Sequence, residues 1–165
     1  MKFTYLKQPS KRWTFEQPKL KRWIEKRCKG RVLNLFAGKV KLEVNEVRVD
    51  INEDMPADYH MDAYEFVKNY KGEKFDTVIL DSPYSLRKSM EKYHGKVFSK
   101  FQKLKKILPR IMNDKCVVIT LGYNSSSMSK GFIKKEICLV CHGGAHHDTV
   151  ILVEEKLGNI ENYIF

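Results

Sequence analysis

Residues 75–85 read FDTVILDSPYS, and this stretch decides the fold that the sequence predicts. Its first six residues are apolar or β-branched apart from one acid, which is typical of a buried strand. The strand stops abruptly on Asp-Ser-Pro-Tyr, residues 81–84. A plain turn requires neither the charge nor the aromatic ring, so the end of this strand is predicted to be a functional site.

Strands and helices alternate on either side of this stretch. Helices are predicted for residues 14–28, 63–72 and 92–112. Strands are predicted for residues 31–36, 46–52, 59–63, 75–80 and 116–122, and residues 135–156 form two more strands joined by a Gly-Gly turn. The pattern predicts an α/β fold with a mostly parallel, seven-stranded sheet and a C-terminal antiparallel hairpin. The first crossover is shortened, because residues 39–46 leave little room for a full helix.

The length of 165 residues predicts a single domain, 1–165. Residues 1–13 are polar, basic and aromatic, and are predicted as a flexible basic arm. The longest apolar run is far shorter than a membrane span, and the N-terminus lacks the apolar core of a signal peptide. These features predict a cytoplasmic protein with reduced cysteines and no membrane partner.

The net charge of +11, from 31 Lys and Arg against 20 Asp and Glu, is the strongest compositional signal. Two segments concentrate the positive charge, residues 19–31 and 96–110. A basic surface of this kind attracts polyanions through counterion release, which favours DNA or RNA as a partner. The alternative is that both segments are solvated helix faces.

Four groups of residues fall at the predicted carboxyl ends of strands: Ala37-Gly38, Asp50, Asp62 and Asp81. Ligands of mostly parallel sheets bind at this edge, near the change in strand order. Asp50 and Asp62 are nevertheless also explained as solvated loop acids. We therefore expect a binding cleft at this edge, with Asp81 in it.

The motifs at these strand ends resemble a known family. They are VLNLFAG (32–38), VDIN (49–52), MDA (61–63) and DSPY (81–84). Their order resembles the class I methyltransferases that use S-adenosylmethionine, in particular the amino-methylating branch marked by an acid-or-Asn, Pro, Pro, aromatic tetrapeptide. The segments after the tetrapeptide and around the hairpin also resemble small adenine methylases of phages and mobile elements.

The resemblance implies a Rossmann-like fold and S-adenosylmethionine as the cofactor. It assigns the cofactor site to Phe36, Ala37, Gly38, Asp50, Ile51, Asp62 and Ala63. It assigns catalysis to Asp81, Ser82, Pro83 and Tyr84, with hydrogen bonds from a base amine to the Asp81 side chain and the Ser82 carbonyl, and with the base stacked on Tyr84. Substrate contacts are expected from Tyr84, Arg87, Lys88 and His146.

The string CLVCH, residues 138–142, matches the pattern of covalent haem attachment. Its predicted place in a strand argues against haem, and cysteines three residues apart on a strand point to opposite faces, which opposes metal chelation. No metal site is therefore predicted.

The function predicted from the sequence is methyl transfer to an exocyclic amino group of a base in nucleic acid, with adenine N6 as the first candidate. The chain has no spare length for a separate recognition domain, so specificity would come from loops, a specificity subunit or a homo-oligomer. Two alternatives stay open. One is a non-catalytic nucleic-acid-binding subunit without cofactor, which the short crossover favours; the other is a methyltransferase for small-molecule or protein amines.

Overall fold

The computed structural model describes residues 1–82, 96–126, 128 and 130–158. Its strands are β1 (Lys2–Lys7), β2 (Val32–Leu35), β3 (Glu46–Asp50), β4 (Tyr59–His60), β5 (Phe75–Leu80), β6 (Met112–Gly122), β7 (Phe132–Cys141) and β8 (Thr149–Lys156). Its α-helices are α1 (Pro18–Glu25), α2 (Ala63–Asn69) and α3 (Lys96–Ile107). Two 3₁₀ helices, η1 (Thr14–Glu16) and η2 (Leu108–Ile111), precede α1 and follow α3.

The described strands form one mixed sheet of eight, in the order β1-β7-β8-β6-β5-β2-β3-β4. All neighbours pair in parallel except β6 with β8 and β7 with β8, which are antiparallel. The mixed α/β sheet and the C-terminal hairpin agree with the sequence prediction. The strand count does not, because the described sheet has eight strands rather than seven.

The additional strand is β1, which corrects the prediction of a flexible arm for residues 1–13. It pairs in parallel with β7 from Lys2 opposite Glu136 to Lys7 opposite Cys141. Glu136 stabilises this edge of the sheet. Its carboxylate accepts a hydrogen bond from Thr4 Oγ1 at 2.5 Å and from two guanidinium nitrogens of Arg27 at 2.7 Å each. The sequence did not reveal this strand, because its pairing partner lies more than 120 residues further along the chain.

Helix α1 packs on one face of the sheet, where Leu20, Trp23 and Ile24 join a buried cluster with residues of β2, β5, β6, β7 and β8. Helices α2 and α3 cover the other face, in a second buried cluster. The two basic segments of the sequence are therefore on opposite faces of the sheet and do not form one patch. Lys105 interrupts the second segment, since it is only 4% exposed and burial lowers its pKa. Among the described helices, none has the length and apolar character that a membrane span requires.

The single helix predicted for residues 14–28 is two helices, η1 and α1, separated by Gln17. Thr14 and Gln17 have the spacing of a helix capping box, but this capping pair does not form. Gln17 is itself the N-cap residue of α1, and its side chain makes no capping hydrogen bond. The break leaves the side chains of residues 14 and 17 available for other contacts.

The connection between β2 and β3, residues 36–45, contains no helix, as predicted. Arg48 on β3 organises it instead, with 3% of its surface exposed. Its guanidinium donates to the carbonyls of Ala37 (3.1 Å), Gly38 (2.8 Å), Val40 (3.1 Å) and Pro56 (2.7 Å), and to Glu46 Oε1 (2.6 Å). A guanidinium has five N–H donors, so every one of them is used.

We expect Arg48→Met to destabilise the protein by about 3–5 kcal/mol, because it removes the ion-pair partner of the buried Glu46 carboxylate and leaves several loop carbonyls without a donor. Urea unfolding followed by circular dichroism measures this. Arg22→Met, on the exposed side of α1, is the matched control and should change the unfolding free energy by less than about 0.5 kcal/mol. A loss below 1 kcal/mol for Arg48→Met would show that the loop does not depend on this side chain.

Candidate active site

An open cleft of about 1720 Å³ lies at the carboxyl ends of β2, β3, β5 and β6. Residues predicted for the site from separate parts of the sequence meet in its wall: Phe36, Ala37, Gly38, Asp50, Ile51, Asp62, Ala63, Asp81, Ser82 and His146. The predicted site residues Pro83, Tyr84, Arg87 and Lys88 lie outside the described residues. The structure thus brings the predicted strand ends together, while the roles assigned to these residues stay predictions.

The glycine loop after β2 is held against the end of β3. Gly38 has φ +63° and donates its N–H to Asp50 Oδ2 at 2.8 Å, while Asp50 Oδ1 accepts the N–H of Asn52 at 2.9 Å. A Cβ at position 38 would lie 3.4 Å from the ring of Trp13. The loop therefore requires glycine for its backbone conformation, and the indole of Trp13 packs where a side chain would project.

Asp62 has a structural role that the sequence left open. It is the N-cap of α2, and its Oδ1 accepts the N–H groups of Tyr64 (3.0 Å) and Glu65 (3.2 Å). Its Oδ2 forms an ion pair with Lys100 Nζ of α3 at 3.6 Å. Helix capping thus accounts for this acid independently of any ligand.

Asp81 follows β5 directly and is half-buried in the cleft wall. Burial destabilises the charged form and raises the pKa of its carboxyl to about 6, although a hydrogen bond from Thr14 partly opposes the shift. A carboxylate placed in this way at the end of a strand is poised to accept a hydrogen bond from a ligand in the cleft.

The segment that carries Thr14 was not predicted as part of the site. Residues 10–15 and Gln17 line the cleft opposite the strand ends. The guanidinium of Arg12 lies 5.8 Å from the centre of the Trp13 ring. The interleaved basic and aromatic residues were the available signal, but the sequence could not separate base stacking from simple packing against the sheet.

The histidine-rich hairpin tip borders the same cleft. His146 lines it, whereas His142 contacts the carbonyl of Gln8 through Nδ1 at 2.9 Å and Thr149 Oγ1 through Nε2 at 2.8 Å. Burial raises the pKa of the Cys138 thiol to about 11, so it is a neutral thiol. Within the described residues, no group of three or more His, Cys, Asp and Glu is arranged to hold a metal ion.

Comparisons with known proteins place this architecture. No family model matches the sequence, and a search of curated proteins finds no match. TrmN from Thermus thermophilus superposes with a TM-score of 0.64 at 16% identity, over 86% of this chain and 49% of that chain. The N-methyltransferase NodS from Bradyrhizobium japonicum WM9 superposes with a TM-score of 0.59 at 8% identity, over 86% of this chain and 98% of that chain.

The chain has a methyltransferase fold. A third structure, the Escherichia coli protein yhhF, superposes with a TM-score of 0.59 at 11% identity, over 92% of this chain and 91% of that chain. The chain thus spans about half the length of TrmN but nearly the whole length of NodS and yhhF. In this methyltransferase fold, the cleft lies where the sequence placed it, at the carboxyl ends of the parallel strands.

The Thr14–Asp81 hydrogen bond gives a testable pKa. Asp81 should titrate near pH 6, and Thr14→Val should raise its pKa further, because the lost hydrogen bond stabilised the carboxylate. Carbon-detected NMR of isotopically labelled aspartate measures both values. Thr149→Val, which removes a hydroxyl bonded to His142 in the same cleft, should leave the Asp81 pKa unchanged. A wild-type Asp81 that titrates near 4 would contradict the burial of its carboxyl.

Proposed function

We propose that this protein transfers the methyl group of S-adenosylmethionine to an exocyclic amino group of a base in nucleic acid, with adenine N6 as the first candidate. The observation that carries the proposal is the position of Asp81. Its half-buried carboxyl lies in the same cleft as the glycine loop, in which the Gly38 N–H donates to Asp50. The methyltransferase fold supports the reaction class, and the DSPY motif supports an amine as the acceptor of the methyl group.

The residues of the cleft suit the cofactor. Asp50 uses one lone pair of each carboxylate oxygen on backbone N–H groups, so both oxygens can still accept a ribose hydroxyl. Ile51 and Met61, with 64% and 39% of their surfaces exposed, offer apolar contact for an adenine ring. The remainder of the cofactor would be bordered by Phe36, Gly38 and Ala63. When bound, the cofactor supplies the methyl group. NodS, which has the same fold, is known in complex with S-adenosyl-L-homocysteine.

The chain's own residues address the weakness of the nucleophile. The lone pair of an exocyclic amine is delocalised into the base ring, so the nitrogen must be turned before it can react. Asp81 accepts one amine N–H, and the main-chain carbonyl of Ser82 is the second acceptor in this proposal. Together they direct the nitrogen lone pair toward the methyl group, and the gain in rate comes mainly from this alignment. The proton that leaves the nitrogen passes to solvent at the open cleft.

The charges at the mouth of the cleft favour a polyanionic substrate. Lys11, Arg12, Lys39 and Lys100 are exposed residues of its rim. They can contact phosphates while a single base enters the cleft, which matches the need to bring a base out of its stack. Selection among sequences would then come from loops or from a specificity subunit.

The second candidate, a nucleic-acid-binding subunit without cofactor, is favoured by one observation, the missing helix in residues 36–45. The Arg48 hydrogen bonds weigh against it. They hold the carbonyls of Ala37 and Gly38 in place without a helix, so the shortened crossover does not leave the glycine loop unsupported.

Asp81→Ala should abolish methyl transfer while leaving the fold and cofactor binding nearly unchanged, because the hydrogen bond from the amine matters mainly in the transition state. Transfer of a radiolabelled methyl group to mixed DNA and RNA, followed by nucleoside analysis, measures this. Asp114→Ala, at an exposed position near the opposite end of the sheet, is the control and should retain full activity.

The wild-type rate should also fall as the pH drops through about 6, since protonation removes the Asp81 acceptor. An active Asp81→Ala enzyme would rule out this mechanism. A wild-type protein that binds nucleic acid but transfers no methyl group would favour the binding subunit.

Asp50→Ala should weaken the binding of S-adenosylmethionine by about 1–3 kcal/mol, or roughly 5- to 150-fold, through loss of charge-assisted hydrogen bonds. Isothermal titration calorimetry gives the affinity. Asp54→Ala, which removes an exposed acid from the loop that follows β3, should bind S-adenosylmethionine like the wild type. Equal affinities for Asp50→Ala and the wild type would mean that the cofactor is held elsewhere in the cleft.

A further inference from the structure

Gln17 is a buried polar residue whose amide oxygen is unpaired among the described residues. Only 5% of its surface is exposed, and its Oε1 has no hydrogen-bond partner in the part of the chain that the structure describes. Its backbone is fully engaged, since its N–H donates to Thr14 O and its carbonyl accepts the N–H of Lys21. The side chain does not cap α1. The hydrogen bonds of the fold therefore account for the backbone of Gln17 but not for its amide oxygen.

The surroundings of this amide form a recess of the main cleft. The recess has a volume of about 310 Å³ and shares Thr14, Gln17, Tyr123 and His146 with the cleft. The ring of His147, which also lines it, meets the ring of Tyr123 edge-on at 5.7 Å between centroids. Aromatic rings beside a small polar cavity suit a flat heteroaromatic group such as a base.

Gln17 is linked to the proposed reaction centre through Thr14. The Thr14 hydroxyl contacts Asp81, and the Thr14 carbonyl accepts the Gln17 N–H at 3.3 Å, across a single 3₁₀ turn. Gln17 and Asp81 therefore line the same cleft and are linked through one residue. A buried amide oxygen without a partner is unfavourable, and a ligand that donates a hydrogen bond to it recovers this cost on binding.

We propose that Gln17 recognises the ring edge of the target base beside its reacting amine. This inference rests on the proposed function. One amine N–H donates to Asp81. The other, on the side of the ring nitrogen, donates to both the Ser82 carbonyl and the Gln17 amide oxygen, and the Gln17 amide nitrogen donates to that ring nitrogen. A side-chain amide matches a donor next to an acceptor, which is the pattern of adenine and cytosine. On its Watson–Crick edge, guanine has a ring N–H beside its amine, so that edge offers two donors and leaves the Gln17 N–H groups without an acceptor. Gln17 thus selects adenine or cytosine against guanine.

The test uses the full chain and single-stranded DNA and RNA oligonucleotides in which one base, adenine, cytosine or guanine, carries the only exocyclic amine. Methyl transfer to each is measured as kcat/KM for the wild type, Gln17→Leu and Gln17→Glu. The wild type should modify the adenine or cytosine oligonucleotides in preference to guanine. Gln17→Leu should lower kcat/KM on the preferred base by roughly 5- to 150-fold, the factor expected for one bidentate contact.

The remaining variants separate recognition from folding. Gln17→Glu removes the donor and supplies two acceptors, so it should lower the ratio of adenine or cytosine to guanine transfer. A structural role alone would change the melting temperature and leave this ratio unaltered. Asn69→Leu, at an exposed position at the end of α2 and outside the cleft, is the control and should keep both the rate and the ratio.

Each outcome bears on the proposal. A wild type that prefers guanine overturns the role of Gln17 but leaves methyl transfer to a base amine standing, and this arm needs no variant to fold. The role of Gln17 is also overturned if the Gln17→Leu and Gln17→Glu proteins fold and keep the base preference of the wild type. Absence of transfer to every oligonucleotide overturns the proposed function, and the inference with it.

Discussion

The guanidinium of Arg48 is the interaction on which the cleft depends. The connection from β2 to β3 is too short for a helix, so the carbonyls of Ala37, Gly38 and Val40 have no helical partners. Buried carbonyls require donors, and Arg48 supplies them from the neighbouring strand. Its remaining donors reach Pro56 O and the carboxylate of Glu46. The Arg48 guanidinium, with all of its donors in use, thus supports this connection without a crossover helix. It holds the loop in the position from which the Gly38 N–H donates to Asp50.

The remaining wall of the cleft comes from the chain before α1. Thr14 bonds to Asp81, and Trp13 packs over Gly38, so a single short segment contacts both the predicted catalytic acid and the predicted cofactor loop. One side of the cleft is therefore built from the ends of β2 and β3, which are proposed to hold the cofactor. The other side is built from the end of β5 and the η1 segment, which are proposed to face the amine. Asp81 lies where the two sides meet.

Local patterns in the sequence predicted the strands and turns that depend mainly on neighbouring residues. The apolar run before Asp81 gave β5, and the glycines at 143 and 144 gave the turn of the hairpin, where both adopt positive φ. What the sequence could not reveal depends on contacts between distant residues. Thr14 was predicted as part of a helix, and the fold brings its hydroxyl to Asp81. Asp62 was assigned to the cofactor site from the resemblance alone, and only the structure shows that it caps α2. Arg48 looked like one more basic residue in a basic chain, because burial is set by neighbours that only the fold brings together.

The pairing of β1 with β7 also constrains how the protein acquires its cleft. Lys2 lies opposite Glu136, and Gln8 donates its N–H to the carbonyl of Cys141. Contacts between residues so far apart in the chain carry a large loop-closure entropy and form late in folding. The segment over the cleft follows β1 directly, so it is anchored only after the hairpin at the other end of the sheet exists. Because β8 lies between β6 and β7 in the sheet, a chain that does not yet extend through β8 lacks the site at which β1 and the segment over the cleft are anchored. The segment that contacts Asp81 is thus fixed in place only when the sheet is complete.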